Sequence, residues 1–279
     1  MRISWFLILA IFFVSACSEI PPVITPATPG GGGGSTTVDD QKRQVLIEEF
    51  TGIRCVNCPA GSAAIEDLLA IHGEQLVAIS IHAGFFASPP HDNSDDDFIT
   101  PEGNQIQTFL EEPLGYPTAV VNRTPVNGAM QQGLGDWAGS IANELTQEPQ
   151  VKIDLKTEYN DAGRQLGIDA TLFGQDNLTD GGNLSLTVLL IENNIVDPQT
   201  TPDGLQDDYV HKHVLREVIT NTLGDPLTDA LTPGTQQSFT FELELDEEYV
   251  AEETHVVAFV HRTEGTKEVL QAIEKHVIE

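Results

Sequence analysis

Cys55-Val56-Asn57-Cys58 places two thiols at C-x-x-C spacing, with the apolar run 45–50 before them and Pro59 and a helix-type pattern after them. On a strand-to-helix turn this spacing suits thiol–disulfide exchange. The first sulfur sits at the positive end of a helix, which stabilises the attacking thiolate. The second lies about one helical turn further on, where it can resolve a mixed disulfide. Zinc uses the same spacing but normally needs a second cysteine or histidine pair, and no cysteine follows Cys58. Redox chemistry is therefore the leading expectation, and it calls for no cofactor beyond the two sulfurs. No Thr-x-x-Cys motif points to peroxidase chemistry.

The remaining cysteine, Cys17, closes a different pattern. Arg2 supplies a charged start and residues 3–14 are mostly apolar, too short a run to span a bilayer, which takes ~20 apolar residues. The run ends in Val14-Ser15-Ala16-Cys17, which resembles the lipobox of bacterial lipoproteins. Residues 1–16 are expected to be a signal peptide and Cys17 the lipidated residue; the alternative is an ordinary signal followed by a stray cysteine. Residues 17–43 then form a lipid-anchored tether, stiffened by Pro21, Pro22, Pro26 and Pro29 and loosened by Gly30 to Gly34. Past the membrane, a disulfide can persist.

Thirteen basic against 43 acidic residues give a formal charge of −30. Nucleic acid and anionic lipid headgroups both require basic surface, so neither is an expected partner. The acidity is spread along the chain, as solubility in an extracytoplasmic setting would favour.

The elements that must position the cysteines follow from periodicity. Over 44–148, strand and helix signals alternate: strands at 45–50, 76–81 and 118–122, helices at 60–71, 105–110 and 134–145. This is an α/β pattern. From residue 149 to 279 the period drops to two, in strands near 151–155, 166–172, 184–190, 239–245, 255–261 and 269–273 with polar turns between them. Such a pattern predicts an all-β antiparallel sandwich domain.

Residues 44–147 resemble the thioredoxin fold: a strand ending in Glu49-Phe50, the C-x-x-C helix, a second strand, and Tyr116-Pro117-Thr118 entering a third. The resemblance implies a cis-proline at Pro117 packed against Cys55 and Cys58, with Tyr116 and Thr118 beside it holding a substrate backbone. It also implies that Glu49 is a buried carboxylate with a raised pKa that handles the proton of Cys58; the alternative is that Glu48 and Glu49 form a solvated strand end. Arg54 can lower the Cys55 pKa or stand as an idle surface cation. Three features depart from the family: Val-Asn between the cysteines, no aromatic before the first, and an inserted loop at 85–103 rich in Asp and Asn. The loop lacks the spacing of a calcium-binding loop and is expected to be solvated.

Over its full length the mature chain resembles the 28-kDa outer-membrane-protein family, lipoproteins of Gram-negative bacteria. The shared marks are residues 46–52 running into the C-x-x-C-Pro, then 116–123, 209–216 and 268–272. The resemblance implies a thioredoxin-like domain followed by a β-rich domain, anchored by lipid to the outer membrane on its periplasmic or cell-surface side. Within residues 209–216, His211 and His213 would share one strand face and could meet a metal, or could serve as interface groups. Two functions remain open. One is a thiol–disulfide oxidoreductase acting on protein or peptide thiols and disulfides; the other is a surface binding or adhesion protein in which Cys55–Cys58 is a structural disulfide.

Overall fold

The computed structural model describes residues 40–179 and 183–278. The expected signal peptide, Cys17 and the tether as far as residue 39 lie outside the described residues.

The first half opens with β1 (Val45–Thr51), α1 (Cys58–His72) and β2 (Leu76–His82). Then come α2 (Pro101–Phe109), β3 (Thr118–Val121), the short β4 (Gln132–Gly133) and α3 (Trp137–Glu144). β1 and β2 run parallel across the α1 crossover, while β3 pairs antiparallel with β1 on its other side. Every residue of β1, β2 and β3 is buried. This is what strands covered on both faces show, and it explains why apolar residues dominate them instead of alternating with polar ones. α1 and α3 cover one face through Ile65, Leu68, Trp137 and Ile141. α2 covers the other through Ile106 and Leu110.

The second half is mostly strand: β5 (Val151–Asn160), β6 (Gln165–Gly174), β7 (Leu184–Glu192), β8 (Ile195–Thr201), β9 (Gly204–His211) and β10 (Val214–Val218). After these come β11 (Asp225–Pro226), β12 (Gln236–Glu244), β13 (Thr254–Arg262) and β14 (Val269–His276). A three-stranded sheet, β12-β6-β5, packs its alternating apolar residues against one face of β7, β13 and β14.

Those last three strands belong to the same sheet as the first half. The order β14-β13-β7-β10-β2-β1-β3-β4 runs without interruption, with β11 pairing on β7. The seam is β10, antiparallel to β7 and joined to β2 through Val214 opposite Ser80. The Ser80 N–H donates to His213 O at 2.7 Å across this seam. Beneath it lies a buried ion pair: Arg123 donates to both oxygens of Glu48 at 2.9 and 2.8 Å and reaches His261 Nδ1 on β13 at 3.2 Å. β8 and β9 stand apart as a two-stranded hairpin.

Candidate functional site

The C-x-x-C segment is built from backbone bonds before any side chain enters. Cys55 N–H donates to Gly52 O at 3.0 Å, and Cys58 N–H donates to Cys55 O at 3.2 Å. These tight turns lead straight into α1, whose first helical residue is Cys58 and whose first turn contains Pro59, a placement the missing N–H of proline favours. Gly52 is required by proximity: a Cβ there would stand 2.4 Å from the Phe86 carbonyl carbon. The inserted loop therefore lies directly against the turn. Its Phe86 O accepts from Arg54 N–H at 2.9 Å, and the Arg54 guanidinium donates to Pro89 O and, at 2.8 Å, to Pro90 O. Cys55 and Cys58 form a disulfide, and both are buried, at 3% and 1% exposed.

Glu49 lies beneath the disulfide helix, fully buried on β1. Its Oε2 accepts from Ser80 Oγ at 3.2 Å, and its Oε1 has no hydrogen-bond partner among the described residues. Burial pushes its pKa up to about 8, partly offset by the Ser80 bond. A Cβ on Gly61 would lie 2.3 Å from Glu49 Oε1 and 2.8 Å from Pro117 Cβ, so strand, helix and proline converge at this glycine. Gly61 is three residues beyond Cys58 and shares its helix face. The Tyr116–Pro117 peptide is cis. The Tyr116 hydroxyl donates to Ala83 O at 3.0 Å and accepts from Gln107, and its ring meets Phe86. Thr118 is buried in β3, its hydroxyl donating to Gln132 O at 2.9 Å. Cys55, Cys58, Glu49 and Pro117 thus share one locality, while the side chains of Tyr116 and Thr118 are engaged within the fold.

The two histidines are not brought together. His211 ends β9 and packs its ring on Phe98, His82 and Tyr209, with its pKa lowered to about 4 by burial. His213 follows the strand end at φ 55°, which breaks the two-residue alternation that would align it with His211. Its Nε2 lies 3.1 Å from Glu66 Oε1 on α1. Glu66 and His213, with Ser62, Ser80, Tyr209 and Lys212, line a cleft of about 390 Å³ beside the disulfide helix.

Sequence reasoning missed Ser80, Gly61 and, above all, the β8–β9 hairpin. Gln199, itself 3% exposed, donates through Nε2 to Gly52 O at 3.3 Å and Cys55 O at 3.1 Å. Thr200 N–H donates to Ile53 O at 2.8 Å. The turn signal Thr201-Pro202-Asp203-Gly204 was the one local clue to this hairpin.

Taken together, fold and site define a β-rich protein in which one mixed sheet carries a buried C-x-x-C disulfide at a strand-to-helix turn, backed by a buried carboxyl. The family description "Outer membrane protein Omp28" matches residues 112–279, more than half of the chain, and the chain belongs to that family. The matched span includes Tyr116-Pro117 and the hairpin and leaves out both cysteines of the disulfide. Among solved structures, HBP35 of Porphyromonas gingivalis is similar with a TM-score of 0.66 at 23% identity, covering 85% of this chain and 76% of that one. A protein of Agrobacterium tumefaciens is similar with a TM-score of 0.53 at 14% identity, covering 85% of this chain and 96% of that one. A domain of the outer membrane lipoprotein Omp28 from Porphyromonas gingivalis aligns at 18% identity over 46% of this chain and 88% of that one, with a TM-score of 0.30. The first two of these likenesses bear on fold alone. None of the curated proteins matches the chain.

Proposed function

We propose that the chain is an outer-membrane lipoprotein whose first half, residues 44–148, is a thioredoxin-like domain acting as a thiol–disulfide oxidoreductase. Residues 149–279 are read as its appended β-sandwich. The parallel β1–β2 pair and antiparallel β3 support the first assignment, and the facing sheets of the second half support the other. Family membership and the lipobox-like Val14-Ser15-Ala16-Cys17 support a lipid anchor at Cys17. No helix among the described residues is long and apolar enough to cross a membrane.

The observation that carries the redox reading is Glu49. An unpaired buried carboxyl is costly, and this one sits between the helix that bears Cys58 and Pro117 with one oxygen uncommitted. With its pKa near 8 it is a neutral acid at neutral pH and can give or take a proton there.

In the oxidised protein a substrate thiolate attacks Cys55 Sγ, the Cys55–Cys58 bond breaks, and Cys58 leaves as a thiolate that Glu49 protonates. The second thiol of the substrate then attacks the mixed disulfide and releases Cys55. The substrate gains a disulfide, and two electrons and two protons pass to the protein. The reverse sequence reduces a substrate disulfide. The partners are thus proteins or peptides bearing thiols or disulfides, with the Tyr116–Pro117 backbone holding their chain.

The test is the reduction potential of Cys55–Cys58 against a glutathione series, with Cys55→Ser as control. A value of roughly −120 to −270 mV is expected of an exchange protein and fixes the direction; one below about −300 mV overturns the reading. A second reading is favoured by one observation, the burial of both cysteines. In that reading the disulfide is a fixed staple and the outer surface serves binding or adhesion.

A further inference from the structure

Cys55 is 3% exposed, yet exchange needs a thiolate in line with its sulfur. The cover is specific. Asp197, Pro198 and Gln199 of β8 are buried over the C-x-x-C turn, whereas β9 is mostly exposed. Over the turn itself the hairpin is held by polar bonds: Gln199 to the carbonyls of Gly52 and Cys55, and Thr200 N–H to that of Ile53. Asp197 Oδ1 also accepts from Asp95 N–H of the inserted loop at 2.8 Å, and its Oδ2 is buried without a partner among the described residues. The base of the hairpin, where Ile195 faces His211, is held differently. Ile195 packs against Ile53, Phe98 and Val214, and His211 stacks on Phe98 and His82. An apolar base with a polar middle can pivot about the base.

Resting on the redox reading above, we propose that Gln199 latches the β8–β9 hairpin over Cys55 as a specificity-determining element, and that the partner it admits is an extended polypeptide. Three carbonyls of the turn, those of Gly52, Ile53 and Cys55, take bonds from the hairpin. An extended segment that offers N–H groups to these carbonyls compensates for the bonds that the hairpin gives up. A small thiol offers none and must break the latch without compensation. Gln199 acts here as a positioning residue, because its contacts are to backbone carbonyls and not to sulfur.

The experiment uses the purified protein and dithiothreitol. One thiolate of the reagent attacks Cys55 Sγ and Cys58 leaves; the second thiol closes on the first, releasing Cys55 and yielding the cyclic disulfide, with two electrons and two protons passing to the protein. The reduction rate is followed by trapping the free thiols with iodoacetamide. Gln199→Ala loses both hydrogen bonds to the turn, so reduction by dithiothreitol is expected to quicken about tenfold. Reduction by an extended peptide dithiol is expected to change less, because that reagent supplies its own bonds. Gln199→Glu provides a variant that closes in acid: its protonated carboxyl still donates one bond, while its carboxylate faces two carbonyl oxygens and repels them. Its rate relative to the native chain at the same pH is expected near one in acid and to rise as the carboxyl ionises. Ratios that stay within about twofold of one for both variants at every pH overturn the latch. The equilibrium potential tests the underlying redox reading separately, since a latch alters access and its rate without altering the end state.

Discussion

Glu48 and Glu49 are neighbours on one strand, point to opposite faces of it, and are both buried. Glu48 meets the Arg123 fork with both oxygens, and Arg123 in turn lies over the Phe259 ring, 5.0 Å from its centroid. Glu49 has one serine hydroxyl and an oxygen with no partner. The same side chain in the same strand therefore serves two purposes, decided by what the opposite faces supply. Where a guanidinium is supplied, the carboxyl is engaged at both oxygens and joins β1 to the far half of the sheet. Where none is supplied, the carboxyl holds its proton and remains available for chemistry.

The comparison can be broken at its stronger end first. Arg123→Met leaves Glu48 buried and uncompensated, and urea melts at neutral pH should show a loss of about 3–5 kcal/mol. Adding Glu48→Leu to it should recover most of that loss, because removing both partners is far cheaper than removing one.

At the other carboxyl the sign is set by pH. The raised pKa of Glu49 means the folded chain keeps a proton that the unfolded chain sheds above about pH 4.5. Its neutral form is fully accommodated below that pH, and stability drains away as pH rises towards 8. Glu49→Gln should match the native chain at pH 5 and exceed it by about 3 kcal/mol at pH 8 in paired melts. The same variant should slow thiol–disulfide exchange on the order of 100-fold.

His211 runs the opposite way. Its folded pKa near 4 lies below the ordinary 6.5, so its contribution is present above pH 6.5 and lost as pH falls through 4. Removing it with His211→Asn should flatten the acid side of the stability curve by ~2 kcal/mol, measured between pH 6.5 and 4. The smallest effect expected is that of Ser80→Ala, a loss of about 1 kcal/mol at pH 5 that Ser80→Thr restores. A loss at pH 5 equal for both variants would show that the bond to Glu49 carries no weight.

The sequence made some of this legible and concealed the rest for physical reasons. The C-x-x-C helix, β1, β2 and β3 could be read because covered strands are rich in apolar residues on both faces and a proline marks the third strand. The strands β5, β6, β7, β12, β13 and β14 were visible through alternation, with ends set a few residues wider in the structure. The hairpin was not legible: β9 reads Gly-Leu-Gln-Asp-Asp-Tyr-Val-His and is mostly exposed, so no burial pattern marks it. Nor was the seam, since β10 is five residues long and carries Arg216 and Glu217. Its partner Ser80 lies far away along the chain. The burial of both Glu48 and Glu49 depends on that distant pairing and on Arg123, so an acidic pair at a strand end could equally be taken for a solvated one.

The position of β10 also has a consequence for how the chain is made. Until residues 214–218 leave the ribosome, the open side of β2 has no neighbour. Its backbone groups around Ser80 then offer pairing to any passing strand. The first half is therefore synthesised as an incomplete sheet, and its protection from aggregation arrives with the second half.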